Sequence, residues 1–516
     1  MNQLIRCACG LLLLGTASCS VTGKASKKDD HKIEVVFVQV NDVYEIAPLA
    51  GGKEGGMARV ASLKKEYLKK NPNTFLVMAG DFLSPSIYNS LKFGDQRIRG
   101  RQMVEAMNAV GTDLVVFGNH EFDIAENELQ DRINESRFQW ISSNTFHLQN
   151  GQATPFARLL PANLQLQFPQ VFVLNVKDAD GTRARIGFIG LTLPFNKAPY
   201  VSYTDPLQTA KELYNRLKDS VDAVVAITHQ AVEEDRRLAR EVPGLAAILG
   251  GHEHDMRFEK EGGIFITKAH ANAKSAYVLR LQLHTKKGKV EVEPDLRYLD
   301  EKVPLDSATT VVVNKWMDIA AQNFGSLGFD ARKVVLAGGN ALDGRETSVR
   351  GGSTDLTRLV VAALADAAPQ ADVVLMNAGS IRVDDYLHPP ITQYDILRTM
   401  PFGGGLRLVD MKGALLLQTL QQGRKNKDTG GFLHFNDALT VDAAGTWKLK
   451  GAPLEAESTY RVALTDFLLT GMEANMDFLT PANPAIVKVY DPLAPAPNAQ
   501  SDIRLAVVKY LEKKPQ

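Results

Sequence analysis

Residues 114–123 read LVVFGNHEFD. Four apolar residues stop at Gly118, and Asn119, His120 and Asp123 follow within five positions. A short apolar run bounded by glycine reads as a strand buried on both faces, with helices packed outside the sheet. The pattern recurs on either side. Runs at 35–40, 75–79, 223–227 and 246–249 end in VQVND (38–42), LVMAGDF (76–82), VVAITH (224–229) and AAILGGHEH (246–254). Five strand ends therefore carry Asp42, Asp81, Asn119, His120, Asp123, His229, His252 and His254. Helical patterns usually follow the runs, which makes the chain α/β. Loops beyond the carboxyl ends of such strands converge in space.

The side chains gathered there offer nitrogen and oxygen donors and no thiolate. That set suits zinc, manganese or iron and suits calcium less. A carboxylate such as Asp81 can bridge two ions. Two ions ~3.5–4 Å apart activate water and neutralise the oxygens of a phosphoryl group under in-line attack. Taken singly, Asp81 after a glycine or His229 at a strand end is more often structural. The strings GNHE and GGHEH are specific, and five tips in order point to a metal centre.

The chain has 516 residues, 59 Lys+Arg against 59 Asp+Glu, and 45% hydrophobic residues. Balanced charge leaves no electrostatic footprint for nucleic-acid polymers. The apolar content excludes a disordered chain, and the length favours two or more domains. All three cysteines, Cys7, Cys9 and Cys19, precede residue 20, so the rest of the chain holds no disulfide, thiolate zinc site or cysteine nucleophile. Residues 1–19 read as a signal peptide, with Arg6, an apolar run to Leu14, and small residues before Cys19. Cys19 would then become the lipidated first residue of a lipoprotein, exported and membrane-anchored at the periplasm or cell surface. Thr16 stands where a lipoprotein box has a larger aliphatic residue, and a plain signal peptide is the other reading. Residues 20–31 read as a polar tether.

The first α/β unit runs over 32–303. Within 304–332, Val312, Trp316, Ala320 and Phe324 recur every four residues and predict a connecting helix ending near Gly325. A second α/β unit occupies 333–516, opening with a helix over 354–368 and a strand over 372–376. The glycine pairs of GGKEGG (51–56) lack the Gly-Lys-Ser/Thr of a P-loop.

The order D…GD…GNHEFD…H…GGHEH resembles the calcineurin-like metallophosphoesterases. With GGMAR (55–59), AGDFLSPS (79–86), KAHANAKSAYVLRLQL (268–283) and NAGSIR (377–382), it resembles more narrowly the secreted bacterial 5′-nucleotidases and UDP-sugar hydrolases. The resemblance implies a four-layer αββα catalytic domain joined by a helix to an α/β 5′-nucleotidase-type domain. It implies two divalent metal ions, one on Asp42, Asp81 and His254, the other on Asp81, Asn119, His229 and His252. His120 and Asp123 match the catalytic pair, the histidine stabilising charge on the phosphate and the aspartate orienting it. In the second domain Arg345, Arg350, Asn377 and Arg382 match segments that contact the substrate, and Phe402 and Phe467 match the rings that clamp a base. The implied activity is release of phosphate from nucleoside 5′-monophosphates or related small phosphoesters by a metal-activated water. The alternatives are a surface-anchored nucleotide-binding protein with a weakened metal centre, or a cyclic phosphodiesterase or other ester hydrolase of the same architecture.

Three departures stand out. The family has Asp-x-His in its first motif, and this chain has Asp42-Val43-Tyr44. Tyr44 either ligates as a phenolate, favouring ferric iron or manganese, or only hydrogen-bonds. Gly404 replaces an asparagine. The Gly-Gly-Asp-Gly expected after Phe467 reads Thr470-Gly471-Met472-Glu473-Ala474, with Glu473 standing for the aspartate.

Overall fold

The computed structural model describes residues 29–195, 198–491 and 496–514. The leader, Cys19 and residues 20–28 of the tether lie outside the described residues. No described helix is long and apolar enough to cross a membrane.

Alternation along a strand sends odd and even residues to opposite faces, and here both faces are apolar. The first domain contains β1 (Lys32–Val40), β2 (Thr74–Ala79), β3 (Leu114–Val116), β4 (Gln139–Trp140), β5 (Val171–Lys177), β6 (Arg183–Thr192), β7 (Ala223–His229), β8 (Ala247–Gly251), β9 (Arg257–Glu261), β10 (Ile264–Lys268), β11 (Ser275–His284) and β12 (Lys289–Tyr298). They form two six-stranded sheets, ordered β12-β11-β1-β2-β3-β4 and β5-β6-β7-β8-β10-β9. Strands β1 to β4 run parallel, as do β6, β7, β8 and β10, while β11 and β12 extend the first sheet antiparallel. Val35 and Phe37 of β1, Val77 and Ala79 of β2, Ile186, Phe188, Val225, Ile227 and Leu249 meet between the sheets. The alternate residues Val36, Val38, Val40, Leu76 and Met78 face α1 (Met57–Leu68), α2 (Arg101–Val110) and α3 (Glu126–Glu135). Ile189, Leu191, Val224 and Ile248 face α4 (Pro206–Leu217) and α5 (Val232–Glu241). This is the four-layer αββα arrangement. Each fully buried Val, Ile or Phe contributes roughly 1.5–3 kcal/mol, which is why the runs read as continuous apolar segments.

Helix α6 (Ser307–Ser326) is capped by Asp306, whose carboxylate accepts the Thr309 N–H at 3.0 Å. Its buried face is Thr309, Val313, Trp316, Ala320 and Phe324. The expected face named Val312 where the structure buries Val313. Four-residue steps drift by about 40° each on a helix of 3.6 residues per turn, and one three-residue step brings the stripe back. The helix packs on α1 and α2, and the Trp316 indole N–H donates to Glu105 at 2.9 Å.

The second domain carries α7 (Glu346–Gly351), α8 (Asp355–Ala367), β13 (Val373–Asn377), α9 (Gln393–Thr399), β14 (Leu406–Lys412), α10 (Gly413–Lys425), β15 (Leu433–Phe435), β16 (Thr459–Thr465), β17 (Ile486–Val489) and α11 (Ile503–Glu512). Its mixed sheet runs β15-β13-β16-β14-β17. Helices α8 and α11 cover one face and α10 the other. The expected helix over 354–368 and strand over 372–376 appear as α8, capped by Thr354, and β13.

The domains meet through polar contacts between buried or half-buried groups. The Tyr394 hydroxyl donates to Glu45, and Lys274 pairs with Asp385. Burial pushes the Glu45 carboxyl up to about 7, against the Tyr394 hydrogen bond and the Arg398 charge; Asp395 adds to the rise. Between pH 4.5 and 7 the unfolded chain releases a proton that the folded chain keeps, so this group's contribution to stability falls as pH rises through that window. Glu45→Gln should remove that slope. The stability of the variant relative to the native chain should rise by on the order of 3 kcal/mol from pH 4.5 to pH 7 and stay level above it, as urea unfolding across the range would show.

Candidate metal centre

The centre is built where parallel strands stop. Asp42 and Asp81 follow β1 and β2 by two residues each, Asn119 follows β3, His229 ends β7 and His252 follows β8. Asp42 and Asp81 have φ of 53° and 54°, and His252 has 92°. Left-handed backbone costs non-glycine residues about 1–3 kcal/mol each and persists only where the surroundings over-determine it. Here they do. The Asp42 N–H donates to Gly80 O at 3.0 Å, and its carbonyl accepts the Asn272 N–H at 2.9 Å. Its carboxylate accepts the His252 N–H at 2.9 Å and the Asn41 amide at 2.8 Å.

Asp42, Asp81 and His229 offer donor atoms that all lie within 4.8 Å of one another, and their side chains are 0%, 1% and 0% exposed. His229 Nε2 stands 3.0 Å from Asp81 Oδ2 and 3.9 Å from Asp42 Oδ1. Its Nδ1–H donates to Ala79 O at 2.8 Å, which turns Nε2 inward. His254 Nε2 is 3.6 Å from Asp42 Oδ1. His252 lies beside them, its ring 5.5 Å from that of His229. Asn119 Oδ1 is buried without a hydrogen-bond partner among the described residues. No lysine or arginine among those residues pairs with Asp42 or Asp81. Buried carboxylates need cations, and this donor set fits a divalent transition ion.

Without an ion, protons carry that positive charge. Burial pushes the His229 imidazole down, but the Asp81 and Asp42 carboxylates overrule it and raise it to about 10. Burial acts against His254 too, and Asp384 with Asp42 and Asp81 brings it up to about 9. His252 is lowered by burial and by the charge on His229. Tyr44 sits in the cluster, its hydroxyl 2.9 Å from His254 Nε2, 3.3 Å from Asp42 Oδ1 and 3.4 Å from Asp81 Oδ2. Burial and the two carboxylates push its pKa well above the ordinary value, so it acts as an O–H donor when no cation is bound.

His120 and Asp123 stand together at the rim. His120 Nδ1 lies 2.6 Å from Asp123 Oδ2, and Ser84 Oγ donates to the same oxygen at 3.2 Å. The His120 N–H donates to Asp81 Oδ1 at 2.8 Å, which ties this pair to the cluster. Burial lowers the His120 pKa and Arg382 opposes protonation, but Asp81 and Asp123 leave it raised.

The second domain contributes a cavity of about 930 Å³ lined by Asn377, Phe402, Gly404, Arg407, Phe467 and Glu473 among others. Phe402 and Phe467 are exposed, at 70% and 40%. Arg382 reaches both sites: its charge acts on His120, and its guanidinium lies 6.0 Å over the Phe402 ring. Arg345 and Arg350 do not line the cavity. Arg345 pairs with Asp343 at 2.8 Å and stacks on Tyr386, and Arg350 pairs with Glu346. Glu473 uses one carboxylate oxygen to accept the Asn377 amide at 2.7 Å and the other for the Ala474 N–H at 2.8 Å.

Residues 35–256 match the family model described as calcineurin-like phosphoesterase, and residues 334–480 match that of the 5′-nucleotidase, C-terminal domain. The chain joins a calcineurin-like phosphoesterase domain to a 5′-nucleotidase C-terminal domain. Protein UshA of Salmonella pullorum is 25% identical over 521 residues, covering 89% of this chain and 90% of the relative. The crystal structure of a 5′-nucleotidase precursor from Thermus thermophilus superposes with a TM-score of 0.66 at 23% identity, covering 93% and 96% of the two chains. The sulfate thiohydrolase SoxB of the same organism shares the fold, with a TM-score of 0.62 at 16% identity over 93% and 94%.

Three supports of the phosphoesterase domain were not anticipated. Glu121 is buried, and its carboxylate accepts the N–H groups of Asp81, Phe82, Leu83 and Gly118 at 2.9, 2.7, 3.0 and 2.6 Å. It binds the β2 and β3 tips together, and its only sequence signal was its place in GNHE. Lys268 is wholly buried between Asp235 at 2.9 Å and Glu253 at 2.5 Å. It also donates to Gln230 O and Gly251 O, next to His229 and His252. Asp384, from the 5′-nucleotidase C-terminal domain, lies 2.5 Å from His254 Nδ1 and leaves Nε2 to the cluster. Each Glu121 oxygen accepts two of those N–H groups, so Glu121→Gln places an NH₂ group against two of the four donors. It should lower unfolding free energy by ~3 kcal/mol and weaken manganese binding, checked by urea denaturation and by competition with a chromogenic chelator.

Proposed function

We propose that the chain is a metal-dependent phosphohydrolase that releases phosphate from nucleoside 5′-monophosphates or related small phosphoesters. The observation that carries this is the buried Asp42–Asp81–His229 cluster with an unpartnered Asn119 Oδ1, set beside the His120–Asp123 pair. Asp42, Asp81 and His254 would hold one ion, and Asp81, Asn119, His229 and His252 the other. Metal held there supplies Lewis acidity to phosphoryl oxygens and lowers the pKa of water.

The protein's own groups do the rest. His120, held by Asp123 and kept cationic, donates to a phosphoryl oxygen as negative charge builds on it. Arg382 supports the same oxygens, with donors that match them in pairs. Phe402 and Phe467 hold a flat base between them, at ~1–3 kcal/mol per stacked ring in comparable sites, and leave its edge unread. Asn377 and Glu473 shape the cavity floor through their mutual hydrogen bond. The leader and Cys19 support export and lipid anchoring of the mature chain.

The test is hydrolysis of AMP, UDP-glucose, a cyclic nucleotide and an aryl phosphate, with and without manganese or zinc. Turnover of AMP is expected, and inertness of every ester at all metals overturns the enzyme. AMP binding without turnover would decide for the nucleotide-binding alternative. His120→Ala should abolish turnover and keep metal content. Activity needs the His120 proton and is lost as pH rises through its pKa. Asp123→Asn removes one of the groups that raise that pKa, so the alkaline limb of the pH–rate profile should move to lower pH.

A further inference from the structure

The turn carrying Asp42 and Tyr44 is fixed by Asn272, whose side-chain oxygen accepts the Tyr44 N–H at 3.1 Å while its own N–H donates to Asp42 O at 2.9 Å. His254 is fixed from the other side by Asp384 at 2.5 Å. Between these supports the Tyr44 ring is 8% exposed and lies edge-on to His254, 5.3 Å away. Its oxygen is thereby placed against the three donors of the first ion position. The separations are 2.9 Å to His254, 3.3 Å to Asp42 and 3.4 Å to Asp81, and His254 is 3.6 Å from Asp42.

Those four distances have a simple geometric meaning. Donors about 2.0–2.1 Å from one ion stand roughly 2.9–3.4 Å from their neighbours, in octahedral or tetrahedral arrangement. Four of the six pairs among Tyr44 Oη, Asp42 Oδ1, Asp81 Oδ2 and His254 Nε2 are 2.9–3.6 Å apart, close to that range. The Tyr44 oxygen, within 3.4 Å of all three partners, stands among the donors and not at their rim.

We propose that Tyr44 Oη is the fourth protein ligand of the first ion position. The position then has three oxygens and one nitrogen, and it selects a hard ion such as iron(III) over zinc. The second position keeps two imidazoles and remains the softer of the two. The centre is thus chemically asymmetric. On binding, the oxygen–hydrogen bond of Tyr44 breaks, an oxygen–metal bond forms and the proton leaves to solvent. No electron is transferred. The inference rests on the metal-dependent reading above.

Its test is spectroscopic and needs no substrate. The full chain is stripped with a chelator, reloaded with iron(III), and its iron content and visible absorption are measured beside Tyr44→Phe. The native chain should show a phenolate-to-iron(III) charge-transfer band that the variant lacks, and the variant should bind iron(III) at least tenfold more weakly. Thermal melting of the two stripped proteins verifies that Tyr44→Phe is folded. Iron bound to the native chain without such a band places Tyr44 outside the coordination sphere and overturns the inference, leaving the phosphohydrolase reading intact. A native chain that retains neither iron, manganese nor zinc overturns both.

Discussion

Two carboxylates, Asp42 and Asp81, are buried at adjacent strand ends with no lysine or arginine paired to them among the described residues, and much of the first domain answers that constraint. A buried charge without a partner costs several kcal/mol. The fold meets part of this with backbone donors: the His252 N–H on Asp42, and the His120 N–H on Asp81. It meets the rest with imidazoles, since the neighbouring carboxylates raise the proton affinity of His229 and His254. The left-handed backbone at both aspartates keeps the two carboxylates together at the strand ends.

Strain of this kind requires a rigid frame. Glu121 supplies one by gathering four N–H groups from two tips, and Lys268 supplies another beneath the β7 and β8 tips. Gly118 shows how close the packing is, since a Cβ there would lie 2.1 Å from Asp81 Oδ1. The glycine of GNHE is thus explained by the carboxylate it faces.

The strand-end tips that gather Asp42, Asp81 and His229, and the fold class, were legible because parallel strands buried on both faces leave unbroken apolar runs, and polar residues can stand only where those runs stop. Val35–Val40 reads as a strand for the same reason that Asp42 reads as a tip residue. What could not be read is pairing over long separations. Nothing local to Asp384 says that it holds His254, 130 residues earlier, and nothing local to Glu121 says that it receives three N–H groups from the 81–83 loop. The partners of Arg345 and Arg350 were not legible either, because an arginine's partner is the acid nearest in space. Asp343 and Glu346 claim them within their own segment. The α6 stripe was placed one residue off because a four-residue period is only an approximation to the helical turn.

The His254–Asp384 contact gives the two-domain architecture a chemical consequence. The aromatic cavity belongs wholly to the second domain, and His120 belongs to the first. Arg382, from the second domain, exerts its charge on His120 only while the domains are docked. The same docking orients the His254 ring, because Asp384 accepts the hydrogen bond of Nδ1–H and turns Nε2 toward the cluster. Separating the domains would break that contact together with Glu45–Tyr394 and Lys274–Asp385. By linkage, an ion bound through His254 Nε2 stabilises the docked arrangement to the same extent that docking favours the ion. His254 is thus one of the residues through which the two domains meet beside the candidate centre.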